Sequence, residues 1–243
     1  MEIKSALLFL LAIVSDTVSA DPDLLQDICV ADLSSGITKP IKKKISSDQL
    51  VLICILLIFL GVKLNGYPCK ESTKVTASDF FFNGLAKPGS TNNSMGSVVT
   101  PANVQKIPGL NTLGVSLSRV DYAPNGLNPP HTHPRATEMV FVLEGQLDVG
   151  FVTTSNILIS KTIKKGEVFV FPKGLVHYQK NNGATAAAAI AAFNSQLPGT
   201  QSLAATLFSA TPSVPDNVLT KAFQVGTKEI EKIKERLAPP PKN

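Results

Sequence analysis

The stretch "PPHTHPRATE", residues 129–138, sets two imidazoles one residue apart and a carboxylate five residues after the second. His131 and His133, two apart on an extended strand, point to the same face, so both rings can reach a common ion. Glu138 adds an oxygen donor beyond the turn-forming Pro134, and the third histidine, His177, follows a second turn in "FPKGLVH". Three histidines and one glutamate make an N3O donor set that suits a divalent first-row metal and leaves positions open for water or substrate. Isolated histidines end as hydrogen-bonded surface or core residues more often than as ligands. Here, however, all three histidines of the 243-residue chain lie in these two motifs. The donor set alone is compatible with manganese, iron, zinc or copper.

Such a cluster needs a frame that brings distant segments to one point. From residue 97 to about 210 the chain reads as short β-rich segments separated by turn residues. "TLGVSLSRVDY" alternates, "EMVFVLEGQLDVGFV" is apolar and β-branched with Gly145 as a break, and "EVFVFPKGLVHYQ" carries a Pro-x-Gly turn between two strand-like pieces. Many short strands with Gly, Pro and Asn punctuation predict a sandwich or barrel. "ATAAAAIAAF", residues 184–193, has helical composition but sits between strands at strand spacing, so it reads as a buried strand. Farther on, "VPDNVLTKAF" and "TKEIEKIKERL" read as helices, with Ile230, Ile233 and Leu237 on one face and Pro239 to Pro241 as a stop.

The opening residues, with Lys4, the apolar run Ala6 to Val14 and the small residues Val18-Ser19-Ala20, have the layout of a cleaved secretory signal over residues 1–20. Secretion implies an oxidising compartment, where Cys29, Cys54 and Cys69 would leave one cysteine over. Cys54 lies in the apolar run "LVLICILLIFLGV", residues 50–62. As a helix that run rises only about 20 Å against a hydrocarbon core of about 30 Å, so no stable membrane span is expected. The formal charge is +5, and Lys39, Lys42, Lys43 and Lys44 against Asp48 account for about half of the excess once residues 1–20 are removed. No basic stripe with interleaved aromatics appears elsewhere, which argues against nucleic acid as a partner. Lys164 and Lys165 read as a solvated face, and Asn92-Asn93-Ser94 is a glycosylation sequon in a polar loop.

The spacings closely resemble those of the cupins. In the first cupin motif, G-x5-H-x-H-x4-E-x6-G, His131, His133, Glu138 and Gly145 match, and Asn125 stands at the leading glycine, where Asn tolerates the left-handed conformation. In the second, G-x5-P-x-G-x2-H-x3-N, Gly166, Pro172, Gly174, His177 and Asn181 match. "DPDLLQDICVADL", "NGYPCK", "NPPHTHPRATE", "FNSQLPGTQ" and "VPDNVLTKAFQV" narrow the resemblance to the germins and germin-like proteins of plants, over nearly all of residues 21–238.

That resemblance implies an all-β cupin β-jelly-roll barrel with C-terminal α-helices. It further implies Mn2+ held by His131, His133, Glu138 and His177, a Cys29–Cys69 disulfide, assembly into dimers and a trimer of dimers, and secretion to the apoplast or cell wall. The expected organisation is a signal peptide (1–20), an N-terminal extension (21–96), the barrel (97–210), and C-terminal helices and tail (211–243). One stretch departs from the family: about 23 extra residues separate Gly36 from Val62, and removing them joins "VADLSSG" to "VKLNGYPCK" smoothly. This insert near 39–61, which also explains Cys54, reads as a retained intron or gene-model error in preference to a true insertion. Three function classes follow: superoxide dismutation, oxalate oxidation, and a non-catalytic wall or receptor-like binding protein. Two asparagines position oxalate in the true germins; Asn128 matches one, whereas Ser118 occupies the place of the other.

Overall fold

The computed structural model describes residues 28–34 and 66–238, so the expected signal segment, the 39–61 insert with Cys54 and the end of the tail lie outside the described residues. Ten strands follow in order: β1 (Ser97–Ala102), β2 (Ser116–Tyr122), β3 (Leu127–Thr132), β4 (Glu138–Glu144), β5 (Gln146–Val152), β6 (Leu158–Lys164), β7 (Val168–Phe171), β8 (Val176–Lys180), β9 (Ala187–Phe193) and β10 (Gln201–Ser202). They form two antiparallel five-stranded sheets, ordered β1-β2-β9-β4-β7 and β10-β3-β8-β5-β6. Two packed sheets answer the sandwich or barrel that the turn spacing predicts, and they form the jelly-roll barrel that the family resemblance implies.

Period-two patterning puts the core inside. On β4, Glu138, Val140 and Val142 are buried while Met139 and Phe141 face outward. Val140 and Val142 share one apolar cluster with Val120, Tyr122, Leu147, Val149, Ile163, Phe171, Ala187 and Ala189. The alanine run of β9 becomes a strand despite its helical composition because β2 and β4 flank it and pair with it on both sides. Its small side chains leave space inside the barrel.

Two turns show why their residues are there. Asn125 takes φ of 61°, as expected where the first motif usually has glycine. Gly145, between β4 and β5, has φ of 75°, and a Cβ there would lie 2.9 Å from the Ala187 methyl. On β3, Pro129 and Pro130 have no N–H to donate, and the register with β8 shifts between Asn128 and His131.

Three short helices follow the barrel: α1 (Leu203–Phe208), α2 (Asp216–Phe223) and α3 (Thr227–Leu237). The last two fall where the apolar periodicity places them, whereas α1 has too few residues to show a period. Leu219 and Ile230 are fully buried, and Lys234 bonds the Val214 carbonyl and Asp216.

The N-terminal segment is tied to this frame covalently. Cys29 and Cys69 form a disulfide, flanked by an Ala31–Cys69 bridge and by Lys70 N–H donating to the Val30 carbonyl at 2.7 Å. Replacing both cysteines by serine is expected to lower unfolding stability by about 3–4 kcal/mol, the loop-closure entropy of a link between residues 40 apart in sequence. Urea denaturation of the purified protein checks this; an unchanged midpoint would show that the remaining contacts suffice.

Candidate metal centre

His131 and His177 are direct partners in the β3–β8 ladder, so their rings stand side by side with centroids 4.2 Å apart. Glu138 begins β4 on the facing sheet with its side chain inward. β3 ends at Thr132, so His133 stands just beyond the strand and not on it, yet it is buried and faces the same centre. The ligand atoms of His131, His133, Glu138 and His177 all lie within 4.8 Å of one another, and all four residues are buried.

Backbone carbonyls set the orientation of each ring. His131 Nδ1 lies 2.8 Å from the Pro129 carbonyl, His177 Nδ1 2.8 Å from the Leu175 carbonyl, and His133 Nδ1 2.5 Å from the Gly199 carbonyl. A carbonyl only accepts, so Nδ1 carries the proton in each neutral ring and Nε2 keeps a lone pair aimed at the centre. Phe171 stacks on His177 at 4.4 Å, and Phe193 meets His133 edge-on at 4.8 Å, closing the apolar side of the cluster.

Glu138 Oε2 lies 2.8 Å from His133 Nε2 and 3.1 Å from His177 Nε2. Without an ion, a proton on Nε2 bridges such a contact; with one bound, a cation shared by the four converging ligand atoms takes that place. The set therefore fits a divalent ion, with three neutral nitrogens and one oxygen as ligands. Glu138 Oε1 accepts from Gln179 Nε2 at 2.8 Å, and Gln179 Oε1 accepts from Asn128 Nδ2 at 2.6 Å and from the Tyr122 hydroxyl at 3.2 Å. Burial, reinforced by Glu138 and Asp121, pushes the Tyr122 hydroxyl well above its ordinary value, so it stays a donor.

The cluster opens on a cavity of about 340 Å³, whose wall includes His131, His133 and Glu138 together with Ser118, Asn128 and the 197–200 segment. The four expected ligands thus converge, and Asn128 and Ser118 share their cavity. Asn92 is far from this arrangement in function, an exposed residue of the loop before β1. Motif reading missed Gln179, Tyr122 and the three carbonyls. Gln179 was within reach, since it follows His177 by two residues on β8 and so shares its face; the Gly199 carbonyl comes from a segment with no marking residue.

A double-sheet jelly roll with a buried three-histidine, one-glutamate cluster at the barrel's inner wall is the structure of a cupin metal centre. Residues 83–231 match the cupin family. The chain is 64% identical to germin-like protein 5-1 of Oryza sativa subsp. japonica over 96% of its own length and 94% of that protein. It is also 64% identical to the rhicadhesin receptor of Pisum sativum, over 89% of this chain and 88% of that one. Among solved structures it is similar to an oxalate oxidase, with 41% identity, a TM-score of 0.77, and coverage of 90% of this chain and 98% of the other. The chain belongs to the germin-like proteins.

Burial, with the neighbouring His177 adding to it, pulls the His131 imidazole down to about 4. Burial would raise the Glu138 carboxyl, but its contacts with His133 and His177 outweigh that and hold it at about 2. In chelator-stripped protein, the unfolded chain takes up a proton at His131 near its ordinary 6.5 while the folded chain does not. Stability is therefore expected to fall as the pH drops from 6.5 towards about 4, and to fall further between 4.5 and about 2 as unfolded Glu138 protonates first. Denaturation series in chelator across this range test it, and a flat profile between pH 6.5 and 4 would contradict a neutral His131.

Proposed function

We propose that this protein is a secreted, manganese-binding germin-like protein of the apoplast or cell wall that dismutates superoxide and oxidises oxalate poorly. The observation that carries the reading is the buried ligand cluster opening on a cavity lined by Ser118, which by resemblance to the true germins stands in the place of a substrate-holding asparagine. Bound manganese supplies the one-electron redox couple that dismutation requires. The chain's own part is to aim three imidazole Nε2 atoms at one point, hold the second oxygen of Glu138 with Gln179, and leave an open approach for a small anion.

Oxalate needs more than access. It must be fixed in one orientation, and the Ser118 hydroxyl is shorter than an amide and has no protein partner to brace it. Leaving part of a bound anion unpaired costs about 1–3 kcal/mol, roughly tenfold or more in efficiency. The similarity to an oxalate oxidase keeps that activity as the alternative. The similarity to a protein named as a rhicadhesin receptor keeps a non-catalytic binding role as the third reading.

Among the described residues no helix is long and apolar enough to cross a membrane. Two features support the wider assignment. Asn92 is exposed and open to an N-linked glycan. The outer face of the β1-β2-β9-β4-β7 sheet carries Leu117, Met139, Phe141, Val168 and Val170, each 40–49% exposed, with Leu117, Ala192, Met139 and Val170 in one cross-strand row. An apolar sheet face of this kind supports a homo-oligomer, a trimer of dimers as in the family.

One manganese-loaded preparation, assayed for both activities against a His131→Ala, His133→Ala blank, tests the reading. Superoxide dismutation lost in the blank, with little hydrogen peroxide from oxalate, is expected. Robust peroxide production from oxalate would replace the assignment by oxalate oxidase, and absence of both activities would leave the binding role.

A further inference from the structure

Three consecutive carbonyls run along the wall of the metal cavity, and the turn after β3 meets each of them with a nitrogen. His133 Nδ1 lies 2.5 Å from the Gly199 carbonyl, the Arg135 main-chain N–H donates to the Pro198 carbonyl at 3.3 Å, and the Arg135 side-chain Nε–H donates to the Leu197 carbonyl at 2.7 Å. Leu197, Pro198 and Gly199 also line the cavity, so one short segment is both cavity wall and ring holder. The segment is irregular and is anchored at its two ends. Upstream, Gln196 takes the Val104 N–H on its carbonyl at 3.1 Å and the Thr112 N–H on its side chain; downstream, Gln201 pairs with Thr132 at the start of β10. Residues 197–200 bridge these anchors, and Arg135 holds the bridge in its middle.

Gly199 shows how close that hold is. Its φ is 69°, and a Cβ there would lie 2.6 Å from Arg135 Nη2 and 3.0 Å from Arg135 Cζ. The guanidinium therefore occupies the space that a side chain would take, and only glycine admits it. A planar guanidinium can lie against the backbone and still give its Nε–H to a carbonyl, whereas a lysine ammonium is a point donor at the end of a flexible stem. Arg135 itself is exposed, so this contact adds little to the barrel core.

The hold matters because His133 has two neighbours at Nδ1. The Gly199 carbonyl only accepts, whereas the Thr200 hydroxyl, 3.5 Å from the same nitrogen, can also donate. If the carbonyl is withdrawn and the hydroxyl donates in its place, the neutral ring carries its proton on Nε2 and loses its inward lone pair. His131 and His177 are held by carbonyls two residues before them, but His133 stands beyond the end of β3 and depends on a segment from elsewhere in the chain.

We propose that Arg135 is a positioning residue of the metal centre: by holding Leu197 and Pro198 it keeps the Gly199 carbonyl on His133 Nδ1, and so keeps His133 Nε2 free for the ion. The inference rests on the metal-centre reading above.

Two measurements on the purified protein test it. Competition with a chelator gives the manganese affinity, and NMR of protein loaded with zinc, a diamagnetic stand-in, gives the solvent exchange of the Nδ1–H of each ring. In Arg135→Ala the manganese affinity is expected to fall roughly tenfold or more, the size usual for groups that orient a ligand. The His133 Nδ1–H should lose protection while those of His131 and His177 keep theirs. Gly199→Ala, which keeps Arg135 but forces a methyl against its guanidinium, should give the same one-ring signature, and Arg135→Lys should recover the affinity only in part. Unchanged affinity in Arg135→Ala, or protection lost equally at all three rings, would overturn the role. Should Arg135→Ala fail to fold, Arg135→Lys and Gly199→Ala are judged by the same two criteria. Metal uptake by the wild-type protein separates the two claims: refusal of both ions refutes the metal centre and the role of Arg135 with it, and full uptake that the variants leave untouched refutes the role alone.

Discussion

Three imidazoles can serve one ion only if none of them spends its inward nitrogen on a proton. In this chain the condition is met by the backbone: the carbonyls of Pro129, Leu175 and Gly199 take the Nδ1 protons, and every Nε2 is left as a donor to the centre. Two of these carbonyls lie two residues before the histidine they hold, Pro129 on β3 and Leu175 just ahead of β8, so the β3–β8 ladder that pairs His131 with His177 also aims both rings. The third comes from across the barrel mouth and gives His133, which lies beyond the end of β3, the orientation that a strand would otherwise provide.

The rest of the barrel serves this arrangement from behind and in front. Behind it, Phe171 stacks on His177, and Gln179, braced by Tyr122 and Asn128, fixes the second oxygen of Glu138. A buried carboxylate without such a donor would cost several kcal/mol to keep charged. In front, Ser116, Ser118 and Ala191 take inward positions that larger side chains could fill, and the space left is the cavity. The alanine-rich β9 is therefore part of the site as much as of the fold.

Much of this was legible before any coordinates. The ligands follow from two spaced motifs, a sandwich or barrel from short strands between turn residues, and the jelly roll from the family resemblance; even the left-handed Asn125 follows from its place in the first motif. What escaped the sequence has physical reasons. Carbonyl acceptors carry no residue signature, so the role of Gly199 depends on where a loop from 66 residues beyond His133 comes to rest. Gln179 is marked only by sharing a strand face with His177. Helix α1 spans six residues, less than two turns, and cannot display a helical period.

The central claim is that neutral Nε2 atoms of all three histidines, with Glu138, hold one ion. Anomalous diffraction from crystals of natively purified protein, recorded on both sides of the manganese absorption edge, tests it directly. The account predicts one peak per chain that vanishes below that edge, bonded to Nε2 of His131, His133 and His177 and to the Glu138 carboxylate. A site without the peak, or an ion bound through Nδ1 of any of these rings, would contradict it.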